Sequence, residues 1–446
     1  MTQPLVCVYR LGEGCHAAHA PVIFMKGLLM YYGWVIVGAC LVVGVCGYGT
    51  YFSFTLFYPL LVEEFGWSRA AISGAMSAGL IAYGLFALPV GWCVDRFGPR
   101  RTIAVGGAIF GCGTSLGAFI TEIWHLYALY GGLTAIGMGA AWAPLVSTIS
   151  RWFVTRRGLA VGIGSLGGGT GTFFVAPLAD SLIQQVGWRE AYLWLGLISG
   201  GLIVVAALFL DRDPNSKGTA AYGAADRPNE PSDGERGHQS AGTGTGDASA
   251  SRHSIEVGSD DIGAIVRTWL FWRMTLTFGF WWFGGAIVYV QLAPYILEKG
   301  FNLQFAALAV VAFGAGNGLG KIAMGMTSDR FGELWAYQIS IVISATSMFA
   351  LAFSVDAQML LVMTAIFGFG FGGAATQLTT ISVALFGVRS VGALMGAILA
   401  LIGIVGAGGP LLSGLIFDAV GSYTPAYMVG AGVFVLSLML SMSLRR

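Results

Sequence analysis

The chain is 446 residues long, 56% hydrophobic and only 10% charged, with a net charge of +1 and a mean hydropathy of +0.75. Ordinary soluble domains carry about 25% charged residues, and a soluble protein this apolar could not cover its surface with polar groups. The class is therefore a polytopic membrane protein, and the net charge argues nothing for a nucleic-acid partner.

Residues 1–30 are polar and patternless and read as a cytoplasmic tail. "MKGLLMYYGWVIV" from Met25 looks like a more natural beginning. A bilayer-spanning helix needs roughly 20 apolar residues. Such runs fall near 33–60, 69–92, 102–121, 124–150, 158–183 and 189–210, and after a gap near 270–297, 303–326, 335–354, 358–386, 391–417 and 424–444. The predicted fold class is an all-α membrane protein with twelve transmembrane helices in two pseudo-symmetric six-helix halves, 31–210 and 263–446. The gap, 211–262, is rich in Gly, Ala, Ser, Asp and Arg and reads as a disordered cytoplasmic linker. Six cysteines, Cys7, Cys15, Cys40, Cys46, Cys93 and Cys112, show no zinc or redox spacing and read as small hydrophobes.

Lysine and arginine choose the orientation. With the N-terminus inside, the clusters at Arg96, Arg100 and Arg101, at Arg151, Arg156 and Arg157, and in the linker all fall on the inner side. Only Arg69, Arg189 and Lys299 fall outside. Both termini are expected in the cytoplasm, with the protein multi-pass in the inner (plasma) membrane.

Two short stretches repeat. "GWCVDRFGPRR" (91–101) and "GMTSDRFGELW" (325–335) each follow the second span of their half, and Asp95 and Asp329 lie 234 residues apart (329 − 95). An internal repeat of this kind is expected of a transporter built from two like halves. It resembles the G-x-x-x-D-R-x-G-x-R signature of the major facilitator superfamily. The first copy matches fully in Gly91, Asp95, Arg96, Gly98 and Arg100; the second keeps Gly325, Asp329, Arg330 and Gly332 but has Leu334 at the basic position. The resemblance implies that Asp95, Arg96, Arg100, Asp329 and Arg330 gate one side through charged contacts between helix ends. "GMGAAWAPLVSTISRWFVTRRGLAVGIGSLGGGTG" (137–171) narrows the branch. Trp152, Phe153, Arg156, Arg157, Leu159, Ala160 and Gly162 resemble the helix-5 signature of monocarboxylate porters, a group that includes the oxalate–formate antiporters.

Other patterns are decoys. Gly162, Gly164 and Gly167 fit G-x-G-x-x-G, but that motif needs a preceding strand. Small residues four apart instead let helix backbones approach closely. "GAGNGLGKI" fails the phosphate-loop pattern at Ala315 and Ile322. No metal-spaced histidines and no nucleophile–base pair are visible, so no enzyme activity, metal or cofactor is expected.

Lys321 is the only lysine or arginine clearly inside a span. A charge there costs about 2.5–3.5 kcal/mol on insertion scales and usually serves function. The repeat supplies a control: Lys321 aligns with Ala87 and Asn317 with Tyr83, so the fold does not demand a charge. The bland alternative is snorkelling toward Asp329, eight residues on, which is about 12 Å along a helix. In monocarboxylate porters the eighth helix carries an arginine four residues before a glycine, and it binds the substrate carboxylate. Lys321 stands four before Gly325 and resembles its replacement, with Asn317 one turn earlier on the same face. Lysine offers a point charge where arginine offers a fork. Asparagine cannot shuttle a proton, whereas a buried lysine can lose one. Phe52 stands near a lysine of animal porters, and the eleventh span has no basic residue where oxalate–formate antiporters carry one. One cationic residue suits one carboxylate.

Further candidate lining residues are Tyr48 and Tyr51 on the first span, Trp142 near Pro144, Tyr289 and Gln291 on the seventh, and Gln377 on the tenth. Each could equally be an interfacial anchor or a helix–helix hydrogen bond. Glu63, Glu64, Arg69, Arg189 and Glu190 read as solvated loop charges, and Asp180 and Asp418 as structural. The expected function is secondary transport of a small organic monocarboxylate of lactate, pyruvate or formate type, by symport, antiport or uniport, with protons or a counter-anion as coupled species. The alternatives are a porter of a neutral or drug-like solute and a membrane carboxylate sensor.

Overall fold

The computed structural model describes residues 31–139, 145, 148–149, 151–153, 155, 157–223, 265–386 and 391–444. Among these residues the chain is almost entirely helical. Ten helices are long and apolar enough to cross a membrane. One of the ten, Ala160–Leu208, is two helices joined at Gly187, whose φ of 82° and ψ of 165° are not helical.

In chain order the helices are α1 (Tyr32–Phe65, interrupted at Ser53), α2 (Arg69–Phe97), α3 (Pro99–Leu116), α4, α5 (157–186), α6 (188–208), α7 (Trp269–Glu298), α8 (Leu303–Phe331), α9 (Glu333–Ala352), α10 (Ala357–Phe386), α11 (Val391–Val420) and α12 (Thr424–Met442). The fourth is described as Ile123–Leu126, π-helical Tyr127–Thr134 and Ala135–Gly139, and only in fragments up to Phe153.

The repeat seen in the signature loops runs through the backbone. Gly66 and Gly300, Gly98 and Gly332, and Gly187 and Gly421 all have positive φ, and each pair lies 234 residues apart. These are the turns after α1 and α7, after α2 and α8, and after α5 and α11. Only glycine enters this region without strain, so the same residue recurs at the same corner of each half.

The halves meet along two crossings, α2 with α11 and α5 with α8. Small residues set the spacing. A Cβ at Gly84 would meet the Ala400 Cα at 2.9 Å, and one at Gly314 would meet the Phe173 nitrogen at 2.7 Å. Within the first half, α5 lies against α1 through Gly167 and Gly171, where added Cβ atoms would meet the Gly44 carbonyl carbon at 2.8 Å and the Gly49 nitrogen at 2.7 Å. The glycine-rich start of α5 is thus a helix-packing surface.

One end of the bundle is clasped across the halves. The Asp418 carboxylate of α11 accepts from the Arg69 and Ala70 amides that open α2, at 3.0 and 2.9 Å. A carboxylate there satisfies free amides and complements the helix dipole. The Arg69 guanidinium donates to the Tyr423 hydroxyl at 3.2 Å and lies 4.4 Å from the Phe417 ring centroid. Deeper in, Gln291 donates to Ser73 at 2.7 Å and Ser413 at 3.0 Å, and the Ala293 amide donates to Thr55 at 3.0 Å. The repeat-related pair of helix ends is bonded too, Gln304 to Gln184 at 3.2 Å.

Three sequence expectations change here. Arg69 is a clasp residue, and Glu64 pairs with Arg189 at 2.8 Å, so these are not merely solvated loop charges. The first part of the predicted linker is ordered. Residues 211–223 lie along the start of α1 and the end of the fourth span: Tyr222 and Trp152 share a backbone bond of 2.9 Å, Trp152 Nε1 donates to the Asp211 carbonyl at 3.1 Å, and Tyr31 packs on the Tyr222 ring. Residues 224–262, the tail 1–30, Cys7 and Cys15 lie outside the described residues. Cys112 is on the outer surface of the bundle, unlike buried Cys40 and Cys46.

Candidate functional site

Between the halves lies a cavity of about 690 Å³. Helices α1, α2, α5, α7, α8, α10 and α11 all contribute to it. Its polar side chains are Tyr48, Tyr83, Asn317 and Lys321, joined by the indoles of Trp281 and Trp282.

Lys321 is 8% exposed. Its side chain crosses to the other half, where Nζ donates to the Ser165 carbonyl of α5 at 3.1 Å. The ammonium therefore ends at the inter-half interface and not at a lipid-facing surface. Asn317 is one turn earlier on α8, 1% exposed, and its Oδ1 is buried without a hydrogen-bond partner. Room for both comes from Gly169. A Cβ there would meet the Asn317 Oδ1 and would stand 3.3 Å from the Lys321 Cε. The repeat-mate of Gly169 is Gly403, also in the lining, which lies against α2 instead: a Cβ would meet the Leu80 carbonyl oxygen at 2.7 Å.

The other predicted lining residues divide. Tyr48 and Tyr289 line the cavity. The Tyr48 hydroxyl is 3.0 Å from that of Tyr83, on α2. Tyr51 does not line it. Its ring stacks on Tyr130 at 5.1 Å, and the Tyr130 hydroxyl donates to the Tyr51 carbonyl. The residue of α1 that shares the cavity with Tyr48 is Phe52, four positions on, so the facing pair is i,i+4 and not i,i+3. Gln377 is also outside the lining. Its amide donates to the Met324 carbonyl at 3.3 Å and to Thr376 at 2.9 Å, and accepts from Thr380 at 3.1 Å, which ties α10 to α8. Gln291 is consumed by the clasp. Trp142 lies outside the described residues.

Of the signature residues, Arg96, Arg100, Asp329 and Arg330 are exposed at the helix ends opposite the clasp. The Arg96 guanidinium lies 5.3 Å from the Trp92 ring centroid, and that of Arg330 lies 5.6 Å from that of Phe331. The Asp95 backbone closes α2; its side chain is outside what is described. Arg156 is likewise outside the described residues, whereas Trp152 and Phe153 are fully buried against the 211–223 segment.

The sequence reading missed Tyr83, Trp281, Trp282 and Phe371. Tyr83 had a signal, because the repeat places it opposite Asn317. The others had none, since an aromatic residue in an apolar helix can face lipid, core or cavity alike.

A doubled six-helix bundle, with its halves meeting at a central cavity, is one observation; the sequence profile is the second. That of the Major Facilitator Superfamily matches residues 39–314 and 283–446. The chain belongs to the Major Facilitator Superfamily. Curated relatives include human monocarboxylate transporter 11, 27% identical over 427 residues that span 91% of this chain and 81% of that one. Rat monocarboxylate transporter 12 is 24% identical over 437 residues, spanning 92% and 84%. Bovine monocarboxylate transporter 13 is 27% identical over 418 residues, spanning 91% and 87%. Among solved structures, a bacterial homologue of the human lysosomal transporter Spinster, inward-facing and unoccupied, superposes with a TM-score of 0.64 at 15% identity over 93% of this chain and 96% of that one. That likeness supports the fold. The protein is thus a multi-pass membrane transporter of this superfamily.

Proposed function

We propose that the protein is a secondary active transporter of an organic monocarboxylate, working by rocking of its two halves around the central cavity. The observation that carries the reading is the placement of Lys321: a cation buried in the inter-half cavity, at a position where the repeat-mate is Ala87. A buried charge in a span is costly unless it is used, and a single cationic side chain among the lining residues suits a single carboxylate. The monocarboxylate transporters among its relatives support the same substrate class.

In this reading Lys321 neutralises the carboxylate. Asn317, held beside it by Gly169, adds a hydrogen bond, and the Tyr48–Tyr83 hydroxyl pair faces the same space. Binding of the anion competes with the Lys321–Ser165 bond, which joins the halves. That exchange lets substrate bias the relative position of the halves, because a ligand shifts a conformational equilibrium only by binding one state more tightly. The clasp keeps the Arg69 end shut, and the Asp95–Arg96–Arg100 and Asp329–Arg330 loops gate the opposite, cytoplasmic end. Protons or a counter-anion are the coupled species, and the inner membrane with cytoplasmic termini is the setting.

The test is uptake into proteoliposomes loaded and unloaded with unlabelled acid. Labelled monocarboxylates are expected to enter through wild type and not through Lys321→Ala, with equal insertion of both. Uptake of a neutral sugar with no uptake of any acid would replace this reading with the neutral-solute one.

A further inference from the structure

We infer, building on the monocarboxylate reading, that the preferred substrate is an aryl monocarboxylate, with its ring held by an aromatic wall facing the Lys321 site. The wall consists of Phe52 from α1, Trp281, Trp282 and Tyr289 from α7, and Phe371 from α10, all lining the same cavity as Lys321. These side chains form one connected group. Centroid separations are 3.9 Å for Phe52–Tyr289, 4.6 Å for Trp281–Phe371, 5.4 Å for Tyr289–Phe371, 5.7 Å for Trp282–Phe371 and 6.3 Å for Phe52–Trp282.

Three features favour a ring over the lactate-sized cargo expected from sequence. The cavity of about 690 Å³ falls in the size range, roughly 300–1,000 Å³, of pockets that enclose whole organic ligands. A two- or three-carbon acid held at Lys321 would leave most of the aromatic wall facing water, whereas an aryl group would cover it and gain offset or edge-on ring contacts. The wall also belongs to both halves: Phe52 is contributed by the first and the other four rings by the second. An aryl group seated there would touch both halves at once, as the carboxylate does at the Lys321–Ser165 junction.

An aromatic wall can also receive a quaternary ammonium group. Here the charged residue in the lining is itself cationic, and no carboxylate is among the lining residues, so a second positive charge would be repelled. The same charge argues against an uncharged aromatic cargo.

The experiment is thermal stabilisation of the purified full-length protein by acids of equal charge and different bodies, since a ligand that binds the folded state raises its melting temperature. The probes are lactate, pyruvate, 3-phenyllactate, phenylpyruvate, phenylacetamide and a trimethylammonium acid. The aryl acids are expected to reach half-maximal stabilisation at concentrations at least tenfold below those of lactate and pyruvate. Trp282→Leu and Phe371→Leu should each shrink that ratio while leaving the response to lactate in place. Equal or tighter binding of lactate or pyruvate, or tighter binding of the trimethylammonium acid, overturns the aryl assignment and leaves the carboxylate reading standing. Stabilisation by phenylacetamide equal to that by phenylpyruvate overturns the carboxylate reading as well. The wild-type ratio decides the question even if a variant fails to fold.

Discussion

Helices α2 and α8 occupy equivalent places in the two halves. Their boundaries, 69–97 and 303–331, differ by the same 234 residues as the glycines that end them, and each leads into a D-R-x-G loop. Each lies against a small-residue face of the opposite half, α2 on α11 and α8 on α5. Yet α2 presents Tyr83 and Ala87 where α8 presents Asn317 and Lys321. The repeat builds the frame, and the chemistry sits where the repeat is broken. The helices opposite differ to match. Gly169 of α5 leaves room for the Lys321 stem, whereas its mate Gly403 leaves room for the α2 backbone.

The comparison can be broken at that pair of glycines. Gly169→Ala places a methyl against Asn317 and Lys321 and should weaken acid binding roughly tenfold, in line with overpacking costs of about 1–3 kcal/mol. Gly403→Ala crowds the α2 backbone and should lower stability without changing the preference for acids over neutral analogues. Melting curves with and without acid separate the two; identical effects from both substitutions would remove the distinction drawn here.

A smaller asymmetry lies in the signature loops. The first copy keeps its basic residue, Arg100, and the second has Leu334. Asp95→Ala is expected to slow turnover more than it weakens binding, and more than Asp329→Ala does. Transport rates at saturating substrate, with affinity measured in parallel, check this; an unchanged rate for Asp95→Ala counts against gating.

The smallest expected effect is at the clasp. Asp418 binds two amides at the start of α2, while its mate Gln184 holds only the Gln304 side chain at the start of α8. Asp418→Asn should cost about 0.3–1 kcal/mol, the usual scale for a charge at a helix terminus. Gln184→Ala should cost less. Comparison of their melting temperatures without ligand tests the ranking.

The fold was legible because it is written twice. Twelve apolar runs, two D-R-x-G loops and a constant offset leave few other architectures. Lys321 was legible because a charge in a span stands out, and Asn317 because it lies one helical turn from it. Tyr51 and Gln377 were misread for one reason. On a helix apolar all round, sequence does not tell which side faces the cavity, and a rotation of one position exchanges Tyr51 for Phe52. The same ambiguity hid Trp281, Trp282 and Phe371. The order in 211–223 was hidden because composition reports the average of a segment, whereas Tyr222 acts through one contact with Trp152 and Phe153.

The most direct test of the central claim is the melting temperature of purified wild type and Lys321→Ala with and without a saturating monocarboxylate. Wild type should be stabilised, and Lys321→Ala should show no shift relative to its own ligand-free melting temperature. Equal stabilisation of both proteins would contradict the assignment of Lys321 as the carboxylate site.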